Sequence, residues 1–564
     1  MSSVMNNETV VLLEKHFDTA FAAPDGIKKL RELILTLAMQ GKLVPQDPTD
    51  RPASELLKAI ELEKQNLITG NSKKTKSLPS IKPEEKPFEL PDSWQWARFG
   101  DLVQVINGKA YKQNELLDVG TPVLRVGNLF TSKHWYYSNL LLEEDKRITT
   151  GDLIYAWSAS FGPFIWNGGE VIYHYHIWKL KFFLSDIPEK KYLYNYLLEA
   201  TEKIKASGNG IAMIHMTKER MEKLLVPVPP LEEQHRIVAK IEQLMARCDE
   251  LEKLGTDRTQ KRTNVHTAAI DRLLTAKADI DFNTAWNFIT QHFSELYSVK
   301  ENVIELRKVI LQLAVMGKLV PQDPNEEPAS VLANSLKSKR KSIAEKVKKS
   351  STSQASNVLE NVPFHIPSNW IWQRIKDLYE VSGGIQKTPH RTPVSNFSPY
   401  LRVANVQRGR LNLDQIEHFE LFDGELDRWR LQSGDLLVVE GNGSEKEIGR
   451  CAIWNGEIEN CVHQNHIIRM RPIDHSGQSF TLVFLNSPTG MAEMKRLAIT
   501  TSGLYSLSVG KIREILIPLP PLAEQHRIVA KIERLMEFCD RLEESIEAAK
   551  TKQTELLNAL MSQV

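Results

Sequence analysis

The segment Leu30–Pro48, LRELILTLAMQGKLVPQDP, returns as Leu306–Pro324, LRKVILQLAVMGKLVPQDP, at an offset of 306 − 30 = 276 residues. The same offset carries His16-Phe17 onto His292-Phe293, and PDSWQWARFGDL from Pro91 onto PSNWIWQRIKDL from Pro367. A second identity, EQHRIVAKIE, stands at 233–242 and 524–533, offset by 524 − 233 = 291. The intervening stretch is therefore longer in the second copy, by 291 − 276 = 15 residues. The chain is a tandem duplication with a divergent middle in each half, and that periodicity governs every local reading.

Within a copy, Leu30, Leu33, Ile34, Leu37 and Ala38 recur at helical spacing, and Gly41 stands where a glycine cap ends a helix. Pro52 restarts a helix that is expected to run through Glu63. Polar, Lys-rich stretches follow, KQNLITGNSKKTKSLPSIKPEEKP and KSKRKSIAEKVKKSSTSQASN, and read as linkers. Trp94 and Trp96, matched by Trp370 and Trp372, open a region of short β-like runs: TPVLRVGNL, GDLIYAW and YHIWKLKF against SPYLRVANV, GDLLVVE and NHIIRMRP. Glycine and asparagine punctuate the runs, so each half contains a mixed α/β globule. PVPPLEEQ and PLPPLAEQ then place proline and acids at the start of a long helix.

That helix carries a heptad through Ile528, Ile532, Leu535, Cys539, Leu542, Ile546, Ala549, Gln553, Leu556 and Leu560. The first copy matches with Ile237, Ile241, Leu244, Cys248 and Leu251 before weakening at Gly255. The expected fold class is α+β: a tandem duplication of two mixed globules joined by long, antiparallel, coiled-coil-like helices with pseudo-two-fold symmetry. A helix of roughly 40 residues spans about 60 Å. Such a rod serves as a ruler between two heads, against a duplex whose equivalent groove faces recur about every 34 Å.

Composition narrows the function. Lys+Arg 72 against Asp+Glu 71 gives a net charge of +1, which excludes a whole-surface polycation but not local basic patches. Hydrophobic residues at 41% and charged residues at 25% fit ordinary globular domains. No apolar run approaches the about 20 residues of a bilayer span, and the N-terminus lacks a leader pattern, so the expected location is cytoplasmic. Cys248, Cys451, Cys461 and Cys539 show no C-x-x-C spacing and are expected to be reduced.

The ordered set of P-x-x-W-x-W opening a globule, GDL near its middle, and P-x-PPL-x-EQ leading into a long helix, all occurring twice, resembles the DNA-specificity subunit of type I restriction-modification systems. The LR-x-x-IL-x-LA-x-x-GKLVPQDP block resembles the subgroup called type IB. The resemblance covers essentially the whole chain. It implies two target-recognition domains, at 88–230 and 363–521, each reading half of a bipartite asymmetric DNA site. Around them it implies helical regions at 1–63, 231–336 and 522–564, with basic linkers at 64–87 and 337–362. It further implies a non-catalytic subunit that docks two modification subunits, which bind S-adenosylmethionine and methylate adenine N6. Restriction subunits that use ATP and Mg2+ would join them, and this chain itself would hold no cofactor. Docking on the retained motifs places partner contacts at Gly41, Lys42, Leu43, Gln234, Arg236, Gly317, Lys318, Leu319, Gln525 and Arg527.

The residues themselves carry no catalytic signature. There is no Walker loop, and Asn486-Ser487-Pro488-Thr489 lacks the second proline and the aromatic of an amino-methyltransferase motif. Asp435, Glu440 and Lys446 are a weak nuclease set, and His174-x-His176 lacks a third metal ligand nearby. A self-contained nuclease or methylase and a purely protein-binding scaffold stand as alternatives.

Charge balances inside each globule, at 16 Lys+Arg to 16 Asp+Glu over 88–230 and 17 to 17 over 363–521. Attraction to phosphate then requires sorting of charge onto one face. The run 385–410 holds Lys387, Arg391, Arg402, Arg408 and Arg410 with no acid. Its counterpart holds Lys109, Lys112, Arg125 and Lys133, interleaved with Tyr111. Arginine suits guanine and asparagine suits adenine, which adds Asn128 and Asn405 to the candidate DNA contacts. Polar tips after GDL add Trp157 and Ser158 in one copy and Asn442 and Ser444 in the other.

Overall fold

The computed structural model describes residues 21–69, 78–158, 161–185, 187–207, 216–346, 362–442, 447–474, 477–501 and 504–562. The chain divides into two compact units, residues 1–258 with 549–564 and residues 259–548.

In the first unit, the helix Gly26–Met39 buries Leu33, Ile34, Leu35 and Ala38, the apolar stripe of the repeated motif. It stops at Gly41, whose φ of +71° is open to glycine at little cost, and Lys42 N–H closes the end by donating to Leu37 O at 2.9 Å. A Cβ at Gly41 would sit 2.6 Å from Pro91 Cγ, so the glycine also lets the helix exit lie against the tryptophan strand. Gly317, at the same φ, does this in the second unit, against Pro367.

Two expected linkers are partly helical. The helix Ala53–Thr69 runs past Glu63, and Ala329–Lys346 takes in the Lys-rich residues from 337. Neither stretch contains glycine or proline, and Lys, Glu, Ala and Leu extend a helix readily once it has begun.

The strands of the first domain are β1 Gln95–Arg98, β2 Val103–Asn107, β3 Thr121–Leu124, β4 Tyr136–Ser138, β5 Arg147–Ile148, β6 Leu153–Ala156, β7 Gly162–Ile165, β8 Val171–Tyr173, β9 Ile177–Phe182 and β10 Leu225–Val228. They form sheets ordered β2-β9-β6-β7 and β4-β3-β8-β5, while β1 and β10 pair antiparallel where the domain begins and ends. The second domain has β11 Ile371–Arg374, β12 Tyr379–Ser382, β13 Phe397–Leu401, β14 Glu417–Glu420, β15 Asp435–Val439, β16 Gly441–Asn442, β17 Cys451–Trp454, β18 Val462–His463, β19 Ile467–Pro472, β20 Ile499–Thr501, β21 Leu504–Ser506 and β22 Leu516–Leu519. Its sheets run β12-β19-β15-β17 and β14-β13-β18, the same order but without a strand in the place of β5 among the described residues, with an added β16-β21-β20 ribbon and a closing β11-β22 pair. Strand alternation is largely lost in the central strands because both faces are covered: all four residues of β6 and all five of β15 are buried.

A helix of 45 residues, Leu231–Thr275, leaves the first domain and passes into the second unit; Leu522–Met561 follows the second domain. Each begins with a buried clasp. Glu233, fully buried, accepts from Trp94 Nε1 at 2.9 Å and Gln46 Nε2 at 2.6 Å. Glu524 accepts from Trp370 Nε1 and Gln322 Nε2 at the same distances. Burial pushes both carboxyls above their usual range. The arginine of the LR motif adds a second tie, Arg31 to Asp249 and Glu252, and Arg307 to Asp540 and Glu543. The long-helix stripe buries Ile237, Ile241 and Cys248, then ends earlier than expected, since Leu251 is exposed. In the second unit it buries Ile528, Ile532 and Cys539, with Leu542 and Ile546 packed alongside. Ala549 is exposed, and the stripe resumes at Leu557 and Leu560, which pack with Phe21 and Leu33 inside the first unit. All four cysteines are free and buried. No helix among the described residues is long and apolar enough to cross a membrane.

Candidate nucleic-acid interface

The chain crosses from one sheet to the other at the turn between β8 and β9, residues 174–176, and between β18 and β19, residues 464–466. The two turns are fastened by the same backbone hydrogen bonds. His174 N–H donates to Leu124 O (2.9 Å), Tyr175 N–H to Lys109 O (3.0 Å) and Ile177 N–H to His174 O (2.9 Å). In the second domain Gln464 donates to Leu401 O (3.0 Å), Asn465 to Ile385 O (2.8 Å) and Ile467 to Gln464 O (2.9 Å). Gly108 and Gly384 make the close approach possible, because a Cβ on either would lie 2.4 Å from a carbonyl oxygen of the turn. The residue after β6 or β15 completes the bracket: Trp157 N–H donates to His176 O at 3.1 Å, and Glu440 N–H to His466 O at 2.9 Å.

On this shared frame the side chains differ. The first turn presents aromatic and imidazole rings, with Tyr175 against His176 at 3.9 Å and His174 at 4.6 Å between centroids, and Tyr111 stacked on His174 at 6.3 Å. Tyr175 is exposed. Burial, with His176 and Arg125 close by, pushes His174 down to about 4, so its ring is neutral near pH 7 and both donates and accepts. The second turn presents the carboxamides of Gln464 and Asn465, neither of which makes a side-chain hydrogen bond among the described residues, and an exposed His466 with its ring 3.7 Å from Glu440.

The cations around the turns sort into free and spent. Arg125 lies over the Tyr136 ring at 4.9 Å and has no salt bridge among the described residues. Lys112, Lys133 and Arg410 are exposed and likewise unpaired there. Lys109 pairs with Glu115 at 3.4 Å and lies over Tyr111, whose buried hydroxyl has no hydrogen-bond partner among the described residues. The run 385–410, acid-free in sequence, is not acid-free in space. Strand β14 and its exit bring Glu417 onto Arg402 (2.5 Å) and Lys387 (3.4 Å), and Glu425 onto Arg391 in a two-pronged pair at 2.8 Å. Arg408 donates to Asn486 Oδ1 at 3.3 Å.

Several expected contacts have other work. Asn405 is 3% exposed, accepts from Arg402 N–H, and donates to Asn412 O and Gln415 O, so its amide is consumed inside the loop rather than offered to a base. Asn128 does the same, accepting from Arg125 N–H and donating to His134 O. Trp157 is a bracket beneath the turn: its Nε1 donates to Tyr175 O at 2.8 Å and its ring stacks on Trp178. Ser158 follows it, half-buried. Asn442 joins strand β16 through its backbone, and Ser444 lies outside the described residues.

The expected docking residues are mostly internal ties. Gln234 is buried, accepting from Glu189 N–H and donating to Pro229 O, and Gln525 donates to Pro520 O. Arg236 pairs with Asp50, and Arg527 with Glu326. Gly41 and Gly317 end helices, and Leu43 and Leu319 pack on the domain cores. Lys318 donates to Ala276 O, while Lys42 is exposed. These motifs fold the QDP segment back onto the start of the long helix.

The weak nuclease set is also explained. Asp435 is fully buried, receives Arg471 at both oxygens (2.8 and 2.7 Å), and accepts from Gln432 N–H. Its counterpart Asp152 accepts from Thr149 N–H and pairs with Lys179. The GDL aspartate thus sets the strand entry. Lys446 lies outside the described residues. The rings of His174 and His176 are 4.8 Å apart, but among the described residues no further His, Cys, Asp or Glu joins them as a metal set.

A family model described as type I restriction modification DNA specificity domain matches residues 91–258 and 367–550. The chain is 31% identical over 567 residues to the type I restriction enzyme EcoAI specificity subunit of Escherichia coli, covering 95% of this chain and 93% of that one. It is 30% identical over 581 residues to the EcoEI specificity subunit of Escherichia coli, with the same coverage. Among solved structures, the HsdS subunit from Thermoanaerobacter tengcongensis aligns at a TM-score of 0.41 with 16% identity, covering 84% of this chain and 98% of that one.

Proposed function

This chain belongs to the type I restriction-modification DNA specificity family, and we propose that it is the subunit that selects the DNA sequence for a modification and restriction complex. Each domain reads one half of a bipartite site, and the two halves differ. The observation that carries this reading is the pair of turns at 174–176 and 464–466, alike in backbone fastening and unlike in side chains: one scaffold, two surfaces. Phosphate contacts from Arg125, Lys112, Lys133 and Arg410 position the duplex, and base edges supply the choice. Because charge balances within each domain, a handful of unpaired cations gives modest affinity. The rest of the clamp then comes from partner subunits.

The chemistry belongs to those partners. Two modification subunits supply S-adenosylmethionine and transfer its methyl group to adenine N6, and restriction subunits supply ATP- and Mg2+-dependent cleavage. The complex works in the cytoplasm. Binding of the protein together with modification subunits to a library of duplexes tests the reading. Enrichment of a two-part motif supports it, and indifference to sequence refutes it.

A further inference from the structure

We propose that the turns His174–His176 and Gln464–His466 are the base-reading elements of the two domains, the first through an aromatic and imidazole surface and the second through free carboxamides. The inference rests on the DNA-reading function above and names the residues that execute it.

Three observations converge on these turns. First, the backbone is held from two sheets at once, through Leu124 and Lys109 in one domain and Leu401 and Ile385 in the other, so the side chains leave from fixed points. Readout by hydrogen bonds requires that fixity, since a loosely held amide does not discriminate between bases. Second, the two carboxamides of the second turn are uncommitted where comparable amides elsewhere in the domains are spent. Asn128 and Asn405 satisfy their own loops, whereas Gln464 and Asn465 make no side-chain hydrogen bond among the described residues. Third, in the first domain the unpaired Arg125 lies close enough to His174 to depress its proton affinity, and exposed Lys112 follows on the same segment as Lys109, which bridges to the turn. Phosphate-seeking charge and base-seeking groups therefore sit together.

The chemistry differs between the turns. Glutamine and asparagine each offer a donor and an acceptor that match adenine N6 and N7 in the major groove, so the half-site read by the second domain contains an adenine at the contacted position. Neutral His174 offers one donor and one acceptor, and exposed Tyr175 adds an apolar face with a hydroxyl at its edge. This surface suits a purine N7 or a thymine methyl group beside it.

The test uses the full chain assembled with modification subunits. Gln464→Ala and Asn465→Ala are each expected to lower discrimination at one base pair of one half-site by about tenfold or more. Affinity for unrelated duplex and the melting temperature should stay the same. Exchanging His174→Gln together with Tyr175→Asn should change the preferred bases of the other half-site only. Variants that melt normally, bind unrelated duplex normally and keep the original preference in both halves overturn the assignment while leaving the DNA-reading function standing. A wild-type complex without any sequence preference overturns both.

Discussion

The two domains share a strand order, yet one register position separates their electrostatics. In the first, Val123 pairs with Tyr136, and Arg125 two residues on lies over that tyrosine ring without a carboxylate. In the second, Tyr400 pairs with Glu417, and Arg402 two residues on is tied to it. A single exchange of aromatic for acid on the neighbouring strand thus decides whether an equivalent arginine is available or committed. Sequence identity of the arginines says nothing about this, because the deciding residue lies on the next strand.

The comparison can be broken first at the element where the domains are alike. Glu233→Ala and Glu524→Ala each strand a buried indole N–H and release an exposed glutamine amide, and each should cost about 1–3 kcal/mol of unfolding free energy. Chemical denaturation of the two variants checks this. Unequal losses would show that the clasps are not equivalent.

Next comes a pair of unlike residues, Tyr173 and His463, at the ends of β8 and β18. Burial, with Arg469 nearby, pushes His463 down to about 4 from an ordinary 6.5. Between those values the unfolded chain holds a proton that the folded domain excludes, so stability is complete above pH 6.5 and is lost as pH falls toward 4. The loss amounts to about 3 kcal/mol. His463→Tyr should shrink the difference in denaturation midpoint between pH 7 and pH 5, and an unchanged difference would contradict the account.

Arg125→Ala should then weaken binding by about 1–3 kcal/mol and reduce the slope of binding against salt by about one ion, whereas Arg402→Ala should do neither as strongly. Tyr136→Glu should imitate the loss of Arg125 by supplying it with a carboxylate. Equal effects of the two alanine variants in a salt titration would erase the distinction between the domains. At the small end, Lys387→Ala removes an exposed pair with Glu417 and should leave the denaturation midpoint nearly unchanged.

Much of the architecture was legible in the sequence because the repeat displays it twice. The helix ending at Gly41, the tryptophan strand that opens each domain and the proline-led long helix all follow from local chemistry, and each appears again at its offset. What was illegible depended on partners distant in the chain. Lys387, Arg391 and Arg402 read as a basic patch until β14 and the segment after it folded Glu417 and Glu425 onto them. Asn405 read as a base contact, although its loop already supplied every partner its amide could use. In the sequence Gln464 and Asn465 are only a polar pair between apolar strands, with nothing local to mark them as base-reading groups. The available signal is their alignment with His174 and Tyr175, two divergent positions followed in both copies by His-Ile at 176–177 and 466–467. The Lys-rich segment from 337 has the charge of a linker, but with no glycine or proline through Lys346 it continues the helix begun at Ala329.

The central claim is that each domain independently reads its own half of the site. A chain in which residues 363–521 are replaced by a second copy of residues 88–230, assembled with modification subunits, tests it through the map of adenines methylated in DNA. The account predicts a site built from two copies of the half read by the first domain, with the other half lost; persistence of the original asymmetric site would contradict it.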